Sequence, residues 1–549
     1  MSRACLCLVA SLVFPAAANS QPPPRDNPAA ATGTASIRGR VVEANSGRPL
    51  SHVDVRAGSS TGQQANGATD GEGRYDLTGL PAGTYTVIAT KPNYVRTAWG
   101  EQRVEGPGKR ITLAEGQRLE NIDLRITRAG AITGKIVDEF GDPVSDVFVS
   151  AMRYQYVQGS RRLMTSGRGG STNDIGEFRA YGLSPGQYYV SATLRSTPVA
   201  GVDTSDRTGY AATFYPGTGS LAEAQRLAIE PGQTAAGINL TLLPIRTAKV
   251  SGLALDADGK PFAGAMIGAI QRVGGTQMGG FTLVPVPPDG RFTINGLTPG
   301  EYTVRASVPS GEMATADITV AGADISDVHL VVAKPSIIRG RVVFAGATAA
   351  TNPPSPTVLD LGAVRDWQMG QNVRAPARIR DDGTFEISLP AGHVLLRAAP
   401  TGGQSPWRLN RVVFQDIDVG DSGIDVAPNV TIENVIVEMT NRTNEASGRV
   451  TDADGTTVRD CFVIVFAQDP ARWTVQTRYL AIARPGQDDL FRARLLPGDY
   501  YAVAMSDVEP GAWMDSEFLS HARDRATKFT IADGEKKSID LKVTQAPVF

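Results

Sequence analysis

Residues 69–89 read T-D-G-E-G-R-Y-D-L-T-G-L-P-A-G-T-Y-T-V-I-A, and close relatives of this stretch recur down the chain. Asp70-Gly71 and Glu72-Gly73 are turn dipeptides that tolerate positive φ, and Arg74, Tyr75, Asp76 and Leu77 then alternate polar and apolar as a half-buried strand does. Leu80-Pro81-Ala82-Gly83 bends the chain again. Tyr85, Val87 and Ala89 follow on one strand face, with Thr84 and Thr86 on the other. The cassette is strand, turn, strand.

Copies follow at 174–188 (D-I-G-E-F, then L-S-P-G-Q-Y), 289–302, 382–394 and 488–500. In the fourth, Val394 replaces the tyrosine; in the fifth, Asp488-Asp489-Leu490-Phe491 has lost the turn glycine. Each copy is preceded by a strand containing Gly39, Gly134, Gly252, Gly340 or Gly448, and followed by a closing strand such as 121–126 or 539–543. A spacing of roughly 90–120 residues is too long for a solenoid repeat of about 20–50 and predicts separate domains. The expectation is all-β: five tandem Greek-key β-sandwiches of about seven strands at 36–128, 129–245, 246–334, 335–444 and 445–549. The last two are the more divergent. Short connections at 127–130, 244–247, 333–336 and 440–446 predict an elongated, semi-rigid rod. The best helix candidate is 516–526, with Asp515 as N-cap and Phe518, Leu519 and Ala522 on one face.

Among 549 residues, 59 Gly and 35 Pro suit many turns, and 41% hydrophobic content suits a folded chain. A net charge of −2 with no Lys/Arg block argues against nucleic acid as a partner. Residues 1–20 read as a signal peptide: Arg3, an apolar run over 6–14, and small residues at 16–20. Residues 21–35 form a Pro/Ala-rich linker too poor in large apolar side chains to fold. Beyond the signal no run is apolar enough to span a membrane, so the expected location is exported: periplasmic, outer-surface or secreted. Cys5 and Cys7 lie within the signal; Cys461, flanked by Phe462, Val463, Ile464 and Val465, reads as an inert buried thiol.

The pattern G-x-V-x-D-x-x-G-x-P-L/V-x-x-V-x-V resembles the start of the carboxypeptidase regulatory-like domain, a transthyretin-like β-sandwich. It is matched at Gly134, Val137, Asp138, Gly141, Pro143, Val144, Val147 and Val149, and at Gly39, Val41, Gly47, Pro49, Leu50, Val53 and Val55. The D-G-x-Y/F and L-x-P-G-x-Y cassette completes the resemblance. It implies an exported bacterial protein that stands alone in tandem or accompanies a peptidase or outer-membrane receptor; the fold it shares with starch-binding domains implies carbohydrate binding by analogy only. Fibronectin type III domains space the glycine and tyrosine differently. Collagen-adhesin B-type repeats need a first-strand lysine for their internal crosslink, and only Lys135 lies near that position.

No catalytic constellation emerges. His52, His329, His393 and His521 lie in different copies, and none begins a zinc-binding motif. Gly58-Ser59-Ser60-Thr61-Gly62 matches G-x-S-x-G without the helix that a nucleophile elbow requires. The glycines of 167–170 suggest a flexible hairpin loop. Asp256-Ala257-Asp258-Gly259 and Asp452-Ala453-Asp454-Gly455 read as polar hairpin turns rather than calcium loops. Tyr85, Tyr188, Tyr302 and Tyr500 recur at one position and are expected as core tyrosines with bonded hydroxyls. The candidate ligand contacts are the non-repeating aromatics: Tyr94, Trp99, Tyr154, Tyr156, Phe214 and Tyr215, with Trp367, Trp407, Trp473 and Trp513 in similar connections. The resulting expectation is a non-enzymatic scaffold or interaction protein of the bacterial envelope, without cofactor, meeting a protein or glycan partner. The alternatives are a carbohydrate-binding protein that uses the loop aromatics, and an accessory to an envelope peptidase or receptor.

Overall fold

The computed structural model describes residues 33–59, 62–101, 103–157, 159–194, 208–273, 276–278, 283–308, 312–346, 353–365, 374–401, 405–486 and 488–545. The expected signal, most of the linker, Ser60, Thr61 and Trp367 lie outside them. Strands dominate, with one α-helix among the described residues. Five hydrophobic clusters follow one another along the chain, at 35–126, 132–242, 248–332, 338–439 and 446–541, here termed the first to fifth segments.

The cassette is a corner between two sheets. In the first segment Arg74–Leu80 pairs antiparallel with Ala35–Glu43, while Gly83–Thr90, two residues on, pairs with Asp54–Ser59 in the opposing sheet. The third segment repeats this with Arg291–Leu297 beside Ala248–Leu255 and Gly300–Ser307 beside Met266–Val273. Both faces of the bend then supply the core, which is why Tyr75, Leu77, Tyr85 and Val87 are all buried in one cluster. The tyrosine staples the corner: the Tyr85, Tyr188 and Tyr500 hydroxyls donate to the carbonyls of Pro81, Ser184 and Leu496 at 2.9, 2.6 and 2.8 Å, and the Tyr302 hydroxyl lies 2.9 Å from the Thr298 hydroxyl. A buried ring with its one polar group satisfied costs nothing in lost hydrogen bonding.

The opening strand of each segment runs antiparallel to the first cassette strand and parallel to the closing strand, as Ser336–Ala345 does against Thr431–Thr440, with Gly340 opposite Val435 and Ala345 opposite Thr440. Its glycine sits where the closing strand bulges inward. A Cβ at Gly39 would lie 2.1 Å from the Ile122 carbonyl oxygen, and at Gly134, Gly252, Gly340 and Gly448 it would lie 1.9 Å from those of Ile238, Val328, Val435 and Ile539. Only hydrogen fits. The cassette turn has its own conformational demand: Gly73 takes φ +76, and in the fifth segment Asp489 adopts φ +64 without a glycine.

Two expectations are corrected. Residues 167–170 are not a hairpin loop but part of the strand Ser160–Ser171, which pairs with Val147–Val157 and, through Arg168, with Tyr181 of the other sheet. Gly167 (φ +66) and Gly169 permit this crossing, because a Cβ at either would meet a carbonyl oxygen at 2.5 Å. The chain also does not extend as a rod. The fifth segment returns to touch the first, second and fourth, through contacts described below. The connections are pinned rather than loose: Val95 donates to Thr127 at 2.8 Å, Ala129 to Asn93 at 2.9 Å, and Pro244–Arg246 pairs with Thr208–Tyr210.

The helix Ser516–Arg523 forms as the sequence indicates. The Asp515 carboxylate accepts from the Glu517 and Phe518 N–H groups, and Phe518, Leu519 and Ala522 are buried. They cover the outer face of Phe462–Ala467, a strand buried on both sides: Val463 and Val465 enter the sandwich core, while Phe462, Ile464 and Phe466 pack under the helix. A run of six apolar residues without alternation is what burial of both faces demands.

Candidate functional site

The segments differ chiefly at one connection. After the second cassette strand the chain must supply a further strand to the same sheet, and what it does on the way varies. In the first segment residues 91–110 intervene before Ile111–Leu113; in the second, 195–226 before Leu227–Ile229; in the fourth, 401–423 before Ile424–Val426; in the fifth, 506–526 before Thr527–Ile531. The third has only 308–312 before Met313–Val320. Tyr94, Trp99, Phe214, Tyr215, Trp407 and Trp513 all belong to these insertions, so sequence positions that looked unrelated share one place in the fold.

The insertions reach across segments. In the first, the Arg103 guanidinium donates to the Val508 carbonyl at 2.8 Å and lies 2.9 Å from Asp507 in the insertion of the fifth. Lys109 lies 3.0 Å from Asp460, and Arg484 donates to the Gly108 carbonyl at 3.3 Å. Glu105 meets Arg153 of the second segment at 2.5 Å. Burial alone would lower the Arg153 pKa, and the Glu105 carboxylate outweighs it, so the guanidinium stays charged with a raised pKa. The hairpin tip beyond Tyr156 closes the triangle: Tyr156 packs against the cluster under the helix, and the Gly159 backbone approaches Met514 so closely that a Cβ would lie 2.4 Å from its carbonyl oxygen.

The fourth and fifth segments interlock through two arginines. Arg478, with 10% of its side chain exposed, lies 2.8 Å from Asp421 and 2.9 Å from Asp418, and also bonds the Asn410 carbonyl. Its backbone N–H donates to Asp421 at 2.9 Å. Desolvation pulls its pKa down, but the two carboxylates outweigh that and hold it above the ordinary value. In the reverse direction Arg397 donates to the Gly420 carbonyl at 2.7 Å and to the Gln476 carbonyl of the fifth segment at 2.7 Å. It meets carbonyls rather than a carboxylate, and burial lowers its pKa.

The six candidate aromatics are not brought together. Phe214 is 2% exposed, in a cluster with Met152, Leu163 and Tyr189. Tyr94 and Trp99 pack against the first core, the Tyr94 hydroxyl donating to Glu43 at 3.2 Å. Tyr215 packs on the second core. Tyr156 is part of the contact with the fifth segment. Tyr154 alone is exposed, at 38%, edge-on to Tyr189 at 6.1 Å with the Arg161 guanidinium 5.2 Å over its ring. Trp407 is buried against Phe344, Trp473 donates to the Ala467 carbonyl at 2.8 Å, and Trp513 stacks on Phe462.

The Asp256 and Asp452 turns, expected as polar hairpin turns, use their carboxylates internally. Asp256 accepts from the Asp258 and Lys260 N–H groups, both at 2.9 Å, and Asp452 from those of Asp454 and Thr456 at 3.0 and 2.8 Å. Among the described residues no group of three or more His, Cys, Asp or Glu is arranged to hold a metal ion. The Cys461 thiol is buried in the fifth core, which pushes its pKa up to about 12. Lys135 is half exposed and faces Glu177 at 3.9 Å. No helix among the described residues is long and apolar enough to cross a membrane.

Residues 36–127 and 249–333 match the carboxypeptidase regulatory-like domain. These stretches are the first and third segments. The match is therefore to two separate segments that share the corner cassette, together about a third of the chain, with the unmatched second segment between them. No curated protein matches the chain. Among solved structures, a Streptococcal ancillary pilin is 15% identical over 54% of this chain and 98% of its own, with a TM-score of 0.19. The Bacillus anthracis TIE protein is 12% identical over 75% of this chain and 73% of its own, at 0.15. The major pilin subunit of Bacillus cereus is 10% identical over 54% and 99%, also at 0.15. Scores this low define neither fold nor function.

The residues that join the segments, Arg103, Lys109, Arg397, Asp421 and Arg478, were not singled out by sequence. In isolation each resembles an ordinary surface charge. The available signal for Arg103, Lys109 and Asp421 was their place in the connection whose length changes from copy to copy; Arg397, on the second cassette strand, and Arg478, between Phe462–Ala467 and Leu480–Ala483, carried no such signal.

Proposed function

We propose that the chain is a non-enzymatic exported scaffold of five sandwich domains, at 36–128, 129–245, 246–334, 335–444 and 445–549, whose inserted connections bind the domains to one another and leave the remaining surface for a protein partner at the bacterial envelope. The observation that carries this reading is the use of chemically capable side chains as structural ties: Arg103 to Asp507, Lys109 to Asp460, Glu105 to Arg153 and Arg478 to Asp421. The recurring tyrosines and the turn aspartates are likewise occupied within the fold. Export is supported by the charged start, apolar run and small residues of 1–20.

Carbohydrate binding through the loop aromatics has little to stand on, since Phe214 is buried, Tyr156 lies between segments and the ring that Tyr154 contacts, Tyr189, is buried. The test is in vivo crosslinking in the native cell, combined with fractionation and N-terminal sequencing. The proposal expects a processed N-terminus in the envelope or medium and a reproducible protein partner. An intact N-terminus in the cytoplasm, or turnover of peptide, ester or glycoside substrates that follows the purified chain, would refute it.

A further inference from the structure

The third segment treats its sheet edge differently from the others. Beside the second cassette strand, the first segment places two short strands, Thr97–Ala98 and Ile111–Leu113, and the second places Thr213–Phe214 and Leu227–Ile229, the first of each pair lying within the insertion. The fourth has only Ile424–Val426, and the fifth has Thr527–Ile531 after its helical insertion. In the third, Met313–Val320 runs beside Gly300–Ser307 without a register shift over its whole length. It ends the sheet, and among the described residues no strand pairs with its outer side.

Long regular edges are normally guarded by proline, lysine, a bulge or an inward-pointing charge, because their free backbone groups template further pairing. The sequence M-A-T-A-D-I-T-V contains no proline or lysine. Its one charge, Asp317, is exposed on the solvent face and already accepts from the Thr303 hydroxyl at 2.6 Å, with Arg272 at 3.4 Å. The edge of the opposing sheet, Ile325–Val331, is guarded by a register shift and by Asp327 at φ +68. The core is also open at this rim. Val304 and Ala306 on the neighbouring strand are fully buried, whereas Ala316 and Ile318, which face the same core, are only partly covered.

We propose that Met313–Val320 pairs antiparallel with the same strand of a second copy, joining the two third segments in a two-fold dimer. In the register centred on Ala316 such an axis keeps both cores on one side of a continuous sheet, with Ala316 opposite its own copy, Ile318 opposite Ala314 and Asp317 opposite Thr315. The strand is complementary to itself in its alternation of inward apolar residues with small residues and threonine; its one charge, Asp317, faces Arg272, which is shared with Glu301. A pairing of this length lies at the small end of interfaces, below about 1,200 Å², so the dimer forms and dissociates with concentration.

Sedimentation velocity on the purified chain across a range reaching about 300 μM, a span suited to a micromolar Kd, gives the first reading. A concentration-dependent dimer is expected. Ile318→Lys, which aims a charge into the shared rim, is expected to weaken it by at least about tenfold while leaving the calorimetric unfolding profile in place. Thr315→Cys supplies an independent reading, since the Cys461 thiol is buried and unreactive: a short bis-maleimide is expected to link two copies through residue 315. A monomer at every concentration overturns the proposal. So does a dimer that survives Ile318→Lys and does not crosslink at residue 315, or a strand-forming peptide from another protein that binds this edge while the chain stays monomeric.

Discussion

Replacing Gly252 by alanine isolates the most stringent geometric demand in the fold. The new Cβ would lie 1.9 Å from the Val328 carbonyl oxygen and 2.7 Å from its carbon, both backbone atoms of the closing strand. Relief requires that strand to move by more than 1 Å, by comparison with ordinary contacts of about 3.5 Å, and Leu330 on the same strand is buried in the core, so the shift is transmitted into packing. Overpacking of this kind costs about 1–3 kcal/mol, and a backbone obstacle belongs at the upper end. For a segment of this size, about 3 kcal/mol lowers its unfolding midpoint by roughly 12–24 °C. Gly71→Ala is the control: its Cβ would meet nothing within 4 Å, and a change within about 0.5 kcal/mol is expected. Differential scanning calorimetry reads both, with hydrogen exchange over residues 248–332 for Gly252→Ala and over 35–126 for Gly71→Ala. Equal midpoints for the two variants would refute the close-approach account of the first-strand glycine.

Breaking the buried pair by Asp421→Leu or Arg478→Met is expected to destabilise the junction of the fourth and fifth segments by about 3 kcal/mol, with much of the loss recovered in the double variant Asp421→Leu/Arg478→Met; a double-mutant cycle in denaturant checks it. Tyr188→Phe removes a hydroxyl that bonds the Ser184 carbonyl at 2.6 Å and should cost about 1–2 kcal/mol, measured as a lowered transition of the second segment. Cys461 makes a pH prediction. With the folded thiol at about 12 and an unfolded value near 8.5, the unfolded state releases its proton first. Its contribution is constant below about pH 8.5, and stability then falls as pH rises towards 12, by at most about 1.4 kcal/mol per unit. In thiol titration at pH 8 the native chain from residue 33 onward should show no reactive thiol, and the denatured chain one.

Much of the fold was legible because the cassette states its own mechanics. Leu-x-Pro-Gly-x-Tyr encodes the bend and the hydroxyl that staples it, and Asp515 with Phe518, Leu519 and Ala522 encodes a capped helix with one buried face. The apolar flanks of Cys461 indicated a buried thiol, and the strand is covered on both sides. The errors arose where distant residues decide. Glycines at 167–170 suggest a loop locally, yet Tyr181 and Val149 approach them from two sheets and turn the stretch into a crossing strand. The rod expectation followed from short linkers, which fix neighbours but say nothing about segments far apart in sequence; Lys109 and Asp460 carry no periodicity by which each could announce the other. The aromatics attracted attention as ligand platforms because they vary between copies, and they vary because each insertion packs against different surroundings.

The return of the fifth segment to the first can be tested directly by zero-length carbodiimide crosslinking of the purified chain, followed by peptide mapping of its monomer fraction. The Lys109 ammonium lies 3.0 Å from the Asp460 carboxylate, so an amide between these two side chains is expected, and Arg103→Glu, which replaces the neighbouring tie to Asp507 with repulsion, should diminish it. Recovery of only local crosslinks, with Lys109 never joined to Asp460, would contradict the closed arrangement and restore the rod.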